Sequence, residues 1–263
     1  MREAIGPVTS LFVVVVLAAA GCGGGGDAPD APAAVDAAAI DAQVAVDANP
    51  ALACAGQSPP TGSGAVSIDG TVLAVEDYAV EPVTGAAVEL RRRSDDGVVG
   101  QAVTTADGKF TIAAAAPVNG YFIVTSAGHL PTYAFDDMRQ PTGDDALLLV
   151  ADAAELARWY ADAGGTYAAG ARTLITAVRD CDHGTADIAT VAVAPAPAEL
   201  VYYDTTAMQW DPALTAATNG FALATDVAAA VTITPAFSGV TFPAEPIAAL
   251  PDTLTIAVVS PYQ

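Results

Sequence analysis

The chain has 263 residues, 53% of them apolar, which is enough material for one or two buried cores. Thirty acidic residues against nine basic ones give a formal charge of −21, and Lys109 is the only lysine. That balance makes nucleic acid a poor partner, because binding it depends on neutralising phosphates with cationic side chains. Dispersed carboxylates keep an alanine-rich chain in solution without specifying a cation site.

Residues 1–21 read as a targeting segment. The apolar run Leu11 to Ala20 falls short of the roughly 20 apolar residues that span a bilayer. It ends in Ala19-Ala20-Gly21-Cys22, small residues before a cysteine, which resembles the lipobox of bacterial lipoprotein signal peptides. The resemblance implies cleavage before Cys22, lipidation of Cys22 and a membrane partner reached through that anchor. Gly23 after the cysteine implies the outer membrane, facing either the periplasm or the cell surface. The other reading is an ordinary secretory signal cut nearby, with Cys22 carrying no lipid.

Residues 22–63 are low in complexity: four glycines, then Asp-Ala-Pro-Asp-Ala-Pro, then recurring Val/Ile-Asp-Ala units at Asp36, Asp41 and Asp47. Pro and Gly deny this stretch regular structure, and spaced like charges repel. It is expected to be a disordered acidic tether that holds the folded part off the membrane.

Residues 64–150 carry the first folded module. Val66 to Ala74 predicts a strand, and Pro82-Val-Thr-Gly85 predicts a turn into a second strand ending at Leu90. Thr104-Thr-Ala-Asp107-Gly108-Lys109-Phe110-Thr-Ile112 places an Asp-Gly pair before an alternating run, the strongest short-range hairpin signal, because a type I′ turn needs positive φ at both central residues. Tyr121 to Thr125 and Gly128-His129-Leu130-Pro131 follow. In this order, the Gly70-Thr-Val, Pro82-x-x-Gly-Ala, Asp107-Gly-x-Phe and Gly128-x-Leu-Pro landmarks resemble the carboxypeptidase regulatory-like domain. That resemblance implies a transthyretin-like β-sandwich and an accessory, non-catalytic role.

Residues 151–172 form a helical connector. Asp152 and Glu155 have capping-box spacing, Leu156, Trp159 and Tyr160 share a face, and Gly164-Gly165 stop the helix. Trp159 and Tyr160 either offer a carbohydrate or peptide platform or seal the join between modules, the latter being the usual use of an amphipathic stripe.

Residues 173–263 repeat the first module in divergent form. Thr218-Asn219-Gly220-Phe221-Ala222-Leu223, then Val231 to Thr234, then Gly239 to Pro243, echo the first copy at an offset of about 112 residues, as duplicated units do. A strand from Leu174 to Val178 opens this copy, and Pro195 to Ala217 inserts Tyr202, Tyr203 and Trp210 where the first copy has a shorter connection. The expected fold is therefore all-β: two tandem transthyretin-like sandwiches joined by one short helix, behind a signal peptide and a disordered acidic linker.

With Cys22 acylated, Cys54 and Cys181 remain as a pair, and an oxidising envelope favours their disulfide over two free thiols. It would close a loop of about 127 residues and pin the end of the tether to the second module. Asp180-Cys-Asp-His-Gly has the oxygens of a calcium loop but lacks the spacing and distal Glu of an EF-hand, and a turn uses the same residues. Phe135-Asp-Asp and Gly143-Asp-Asp form a second acidic patch that reads as a solvated loop. His129 and His183 are the only histidines, and neither lies in a hydrolase motif. Lys109, placed beside a turn tip, is unsuited to a buried isopeptide cross-link. No cofactor or metal is implied.

These features point to a lipid-anchored envelope protein with non-catalytic binding or structural modules and an envelope protein or glycan as partner. A surface adhesin or carbohydrate binder using Tyr202, Tyr203 and Trp210 is the first alternative. A metal-dependent hydrolase relying on His183 is the second.

Overall fold

A computed structural model describes residues 50–58, 63–116, 118–135, 146–182 and 184–262. Period-two alternation of apolar and polar side chains builds strands almost throughout. The first copy supplies β1 (Gly64–Glu76), β2 (Ala79–Pro82), β3 (Ala87–Arg92), β4 (Val98–Val103), β5 (Lys109–Ala116), β6 (Gly120–Thr125), β7 (Thr132–Phe135) and β8 (Ala146–Ala151). Helix α1 (Ala153–Asp162) follows. The second copy supplies β9 (Arg172–Val178), β10 (Thr190–Ala194), β11 (Glu199–Asp204), β12 (Gln209–Asp211), β13 (Phe221–Thr225), β14 (Ala230–Phe237), β15 (Val240–Thr241), β16 (Glu245–Ala248) and β17 (Thr253–Val259).

Strand pairing reproduces the internal repeat. In the first copy β1 runs antiparallel to β5 and parallel to β8; in the second, β9 runs antiparallel to β13 and parallel to β17. Likewise β6 lies between β3 and β7, and β14 between β10 and β16, all antiparallel.

The two glycine turns sit in matching surroundings. The carbonyl of Gly108 accepts from Val72 N at 2.9 Å, that of Gly220 from Val178 N at 2.8 Å, and the carbonyls of Val72 and Val178 each accept a further N–H, from Val83 and Ala186. A Cβ on Gly108 would lie 2.7 Å from Val72 O and one on Gly220 2.5 Å from Val178 O, and the two residues have φ of 74° and 79°, so only glycine fits. Neither turn is the expected hairpin. Only the glycine of each pair has positive φ, and β4 and β5, which flank the first turn, belong to different sheets. In the first copy the capture of the glycine carbonyl by β1 accompanies the passage of the chain from one sheet to the other; in the second, β12 and β13 stay in the large sheet. The two-residue hairpin lies elsewhere, at Asp77-Tyr78 between β1 and β2, where both φ values are positive at 52° and 61°.

The two sandwiches are not separate bodies. β7 of the first copy pairs in parallel with β17 of the second, fusing two sheets into one of nine strands in the order β12-β11-β13-β9-β17-β7-β6-β3-β4. All described residues fall within one compact unit. A four-stranded sheet around β1 covers one face of the first half of the large sheet, and α1 continues that cover over the second half. Val72, Leu90, Phe110, Ile112 and Phe122 thus share a core with Leu156, Trp159, Ile175, Leu223 and Ile256. The four-stranded sheet around β14 covers the opposite face of the second half and buries Leu174, Val178, Ala222, Ile233 and Val259. β9 is therefore enclosed on both faces, which is why Thr173 to Val178 are all buried. Among the described residues no sheet or helix covers the other face of the first half of the large sheet.

The helix obeys its expected limits with one change. Asp152 caps it, its carboxylate accepting from Glu155 N at 2.7 Å, and Gly165 N closes the far end on Tyr160 O. Glu155 does not reach back to the cap. Its carboxylate is 3% exposed and accepts from Trp159 Nε1 at 2.8 Å, from Asp77 N at 2.9 Å and from Arg158 at 2.8 Å, tying the β1–β2 hairpin to the helix.

Candidate functional site

The sequence-predicted sites distribute unevenly. Cys22, His183 and the aspartates at 136, 137, 144 and 145 lie outside the described residues. Cys54 and Cys181 are joined, with Cα atoms 5.5 Å apart. Around that link Leu52 is buried in the second core, Cys181 N donates to Ala51 O at 2.9 Å, and Gly56 N donates to Pro261 O. Asp180 spends one carboxylate oxygen on the N–H groups of Asp182 and Gly184, at 3.0 and 2.8 Å, as an Asx turn does. Among the described residues no group of three His, Cys, Asp or Glu side chains is placed to hold a metal ion. His129 is partly buried at the turn before β7.

Tyr202, Tyr203 and Trp210 do not make the expected ligand surface. They stand on β11 and β12, and Tyr202 and Trp210 are 6% and 5% exposed. Tyr202 faces the second core and bonds Val191, while Trp210 packs edge-on against Trp159 and Tyr203 in the shared core. The inserted stretch extends the large sheet, and α1 covers it. Successive residues on a strand point to opposite faces, so Tyr202 and Tyr203 cannot serve one surface.

Among the described residues, a half-buried aromatic strip lies on the face of β3, β6 and β7 turned away from the shared core, with its Phe135 end packed against the second core. Register places Tyr121 opposite Phe135, and Tyr133 opposite Ile123. The Tyr121 and Phe135 rings stack at 5.0 Å and 21°, and the Tyr121 and Tyr133 rings at 6.3 Å and 20°. Arg93 lies 5.4 Å from the Phe135 ring centre and pairs with Glu245 of β16, so the edge of the second copy closes one side of the strip.

Charged side chains line the other side. Arg91 bridges Glu89 at 2.8 Å and Asp96 at 3.1 Å, and Gln101 of β4 donates to Glu89 at 2.8 Å. Asp96 sits in the tight β3–β4 turn with φ 59°, a conformation Asp tolerates, and from there it accepts the Tyr121 hydroxyl. These side chains are half-buried or exposed. Stacked rings rimmed by paired charges suit contact with a polar, partly apolar partner surface.

Burial, reinforced by the hydrogen bond to Asp96 and by that carboxylate's charge, pushes the Tyr121 phenol up to about 12 from its ordinary 10.0. A value raised on folding means that the neutral phenol supports the fold. Its contribution is fully present below pH 10 and is lost as pH rises through about 12. Replacing Tyr121 by Phe is therefore expected to flatten the fall in stability across that window and to remove one late-titrating phenol from the absorbance titration. An unchanged titration curve would count against the Asp96 contact.

No protein-family model matches the chain, and no curated protein matches it. Among solved structures it is similar to the shaft pilin SpaA of Lactobacillus rhamnosus GG, at 9% identity over 76% of this chain and 98% of that one, with a TM-score of 0.24. It is similar to GBS52, the minor pilin of Streptococcus agalactiae, at 12% identity over 74% and 94%, TM-score 0.23. It is also similar to the Bacillus anthracis TIE protein, at 10% identity over 74% and 34%, TM-score 0.23. Likeness at these scores carries no argument about function. Among the described residues no helix is long and apolar enough to cross a membrane.

Proposed function

We propose that this is a lipid-anchored envelope protein in which an acidic tether carries a non-catalytic binding or structural body. The first copy in that body resembles a carboxypeptidase regulatory-like domain, and the second is a divergent transthyretin-like sandwich. The observation that carries the reading is an attachment inside the stretch expected as disordered: Leu52 is buried in the second core and Cys54 is bonded to Cys181, so residues 50–57 belong to the folded body and not to the tether. Cys22 is the anchoring residue and the outer membrane the destination. Intact mass of the native protein should show an acyl-modified Cys22 at the mature N-terminus, and Cys22→Ser should move the protein from the membrane to the soluble fraction. A native mass with no acyl group, or a Cys22→Ser protein that still sediments with membranes, would overturn the anchor.

The half-buried strip of Tyr121, Tyr133 and Phe135 favours a second, finer reading as a surface adhesin. Binding to an envelope protein or glycan should weaken when Tyr121 and Tyr133 are both replaced by Ser. It should persist when the buried Trp210 is replaced by Phe.

A further inference from the structure

We infer that β4 is a self-association edge at which a second copy of this chain pairs antiparallel, continuing the nine-stranded sheet across a two-fold axis. Among the described strands β4 ends that sheet and is paired with β3 alone. Its sequence, Val98-Val-Gly-Gln-Ala-Val103, carries none of the charges or prolines that blunt an exposed edge, and Val98 and Val103 are 49% and 65% exposed. The strand at the other end of the same sheet, β12, does carry a charge, Asp211. The molecule already extends this sheet by edge pairing, at the β7–β17 seam between its two copies.

Charge identifies the occupant. On a chain of net −21, two copies repel over most of their surface. Around β4 they do not. Arg91, Arg92 and Lys109, three of the nine basic residues, flank the strand beside Glu89, Asp95, Asp96 and Asp107, so the local charge is close to balanced. Antiparallel pairing sets the Asp95-Asp96 turn of one copy beside the Thr104–Lys109 turn of the other. The Lys109 side chain is 70% exposed and only 3.8 Å from Asp107, and Asp95 and Asp96 are 54% and 63% exposed, so each can pair across the axis. A two-fold contact of this kind uses the same patch twice and closes. The inference goes beyond the anchoring reading and does not depend on it.

Sedimentation velocity of the full chain with Cys22→Ser, at about 0.15 M salt, tests it. The expected result is a reversible dimer, weakened at least about tenfold by Val103→Lys and unaffected by Gln209→Lys on β12. Lys109→Glu should weaken the dimer, and combining it with Asp95→Lys and Asp96→Lys should restore it. A thermal midpoint for Val103→Lys equal to that of the parent separates loss of pairing from loss of fold; should that variant unfold, the Lys109 exchange decides. A monomer at every concentration, a dimer indifferent to Val103→Lys and Lys109→Glu, or equal losses at β12 would overturn the proposal.

Discussion

Trp159→Ala is expected to lower the free energy of unfolding by about 3–5 kcal/mol, the range for removing a large buried aromatic ring from a packed core. Trp159 is 2% exposed and packs edge-on against Trp210 at 6.1 Å, in the layer that continues the first copy's core over the second. The loss is more than volume. Its indole N–H is one of three donors to the buried Glu155 carboxylate, and a buried acceptor deprived of a partner keeps its desolvation cost. Trp159→Phe separates the two effects, keeping most of the ring and losing the donor, with an expected cost of about 1–3 kcal/mol. Urea unfolding measures both. A change below about 1 kcal/mol for Trp159→Ala would mean that α1 is only a connector and that the two copies do not share a core.

The double substitution Cys54→Ser, Cys181→Ser is expected to have an effect of comparable size. The link spans 127 residues, and the chain-entropy model assigns a loop of that length about 5 kcal/mol. Leu52 would still have an apolar site in the second core, so the folded contacts are largely retained and the effect falls mainly on the unfolded chain. The urea midpoint should drop while amide exchange at residues 50–57 rises. An unchanged midpoint would show that the unfolded chain already keeps these ends together.

What could be read from the sequence was what local chemistry enforces. Gly108 and Gly220 announce a repeat because each must approach a strand carbonyl that a side chain would strike. Asp152 and Gly164-Gly165 mark the helix because unpaired backbone groups at its ends need partners. Cys54 and Cys181 stand out because a third cysteine has a separate reading.

The fusion of the copies was not legible. The β7–β17 pairing is made by backbone groups far apart in the chain, and Thr132 to Phe135 alternate as any strand would. The same blindness misplaced the ligand surface. Tyr202 and Trp210 read as exposed because their stretch is an insertion, whereas α1 and the β14 sheet enclose it. Tyr121 was visible as a strand residue, whereas Phe135, read with its two aspartates as a solvated loop, ends β7 instead, and only the pairing of β6 with β7 stacks the rings of Tyr121, Tyr133 and Phe135. Asp77-Tyr78 has no glycine to advertise its hairpin, and the hydrogen bond from Asp77 N to Glu155 helps hold it in place.

The link at Cys54 also decides how the molecule bears tension. A pull arriving along the N-terminal stretch crosses from Cys54 to Cys181 through a covalent bond and never travels through the strands between them. The whole first copy, α1 and β9 hang inside that closed circuit, sheltered from end-to-end stretching, and strain falls first on the short run of packing around Leu52. A load on that stretch would therefore loosen the packing around Leu52 before it reached the strands.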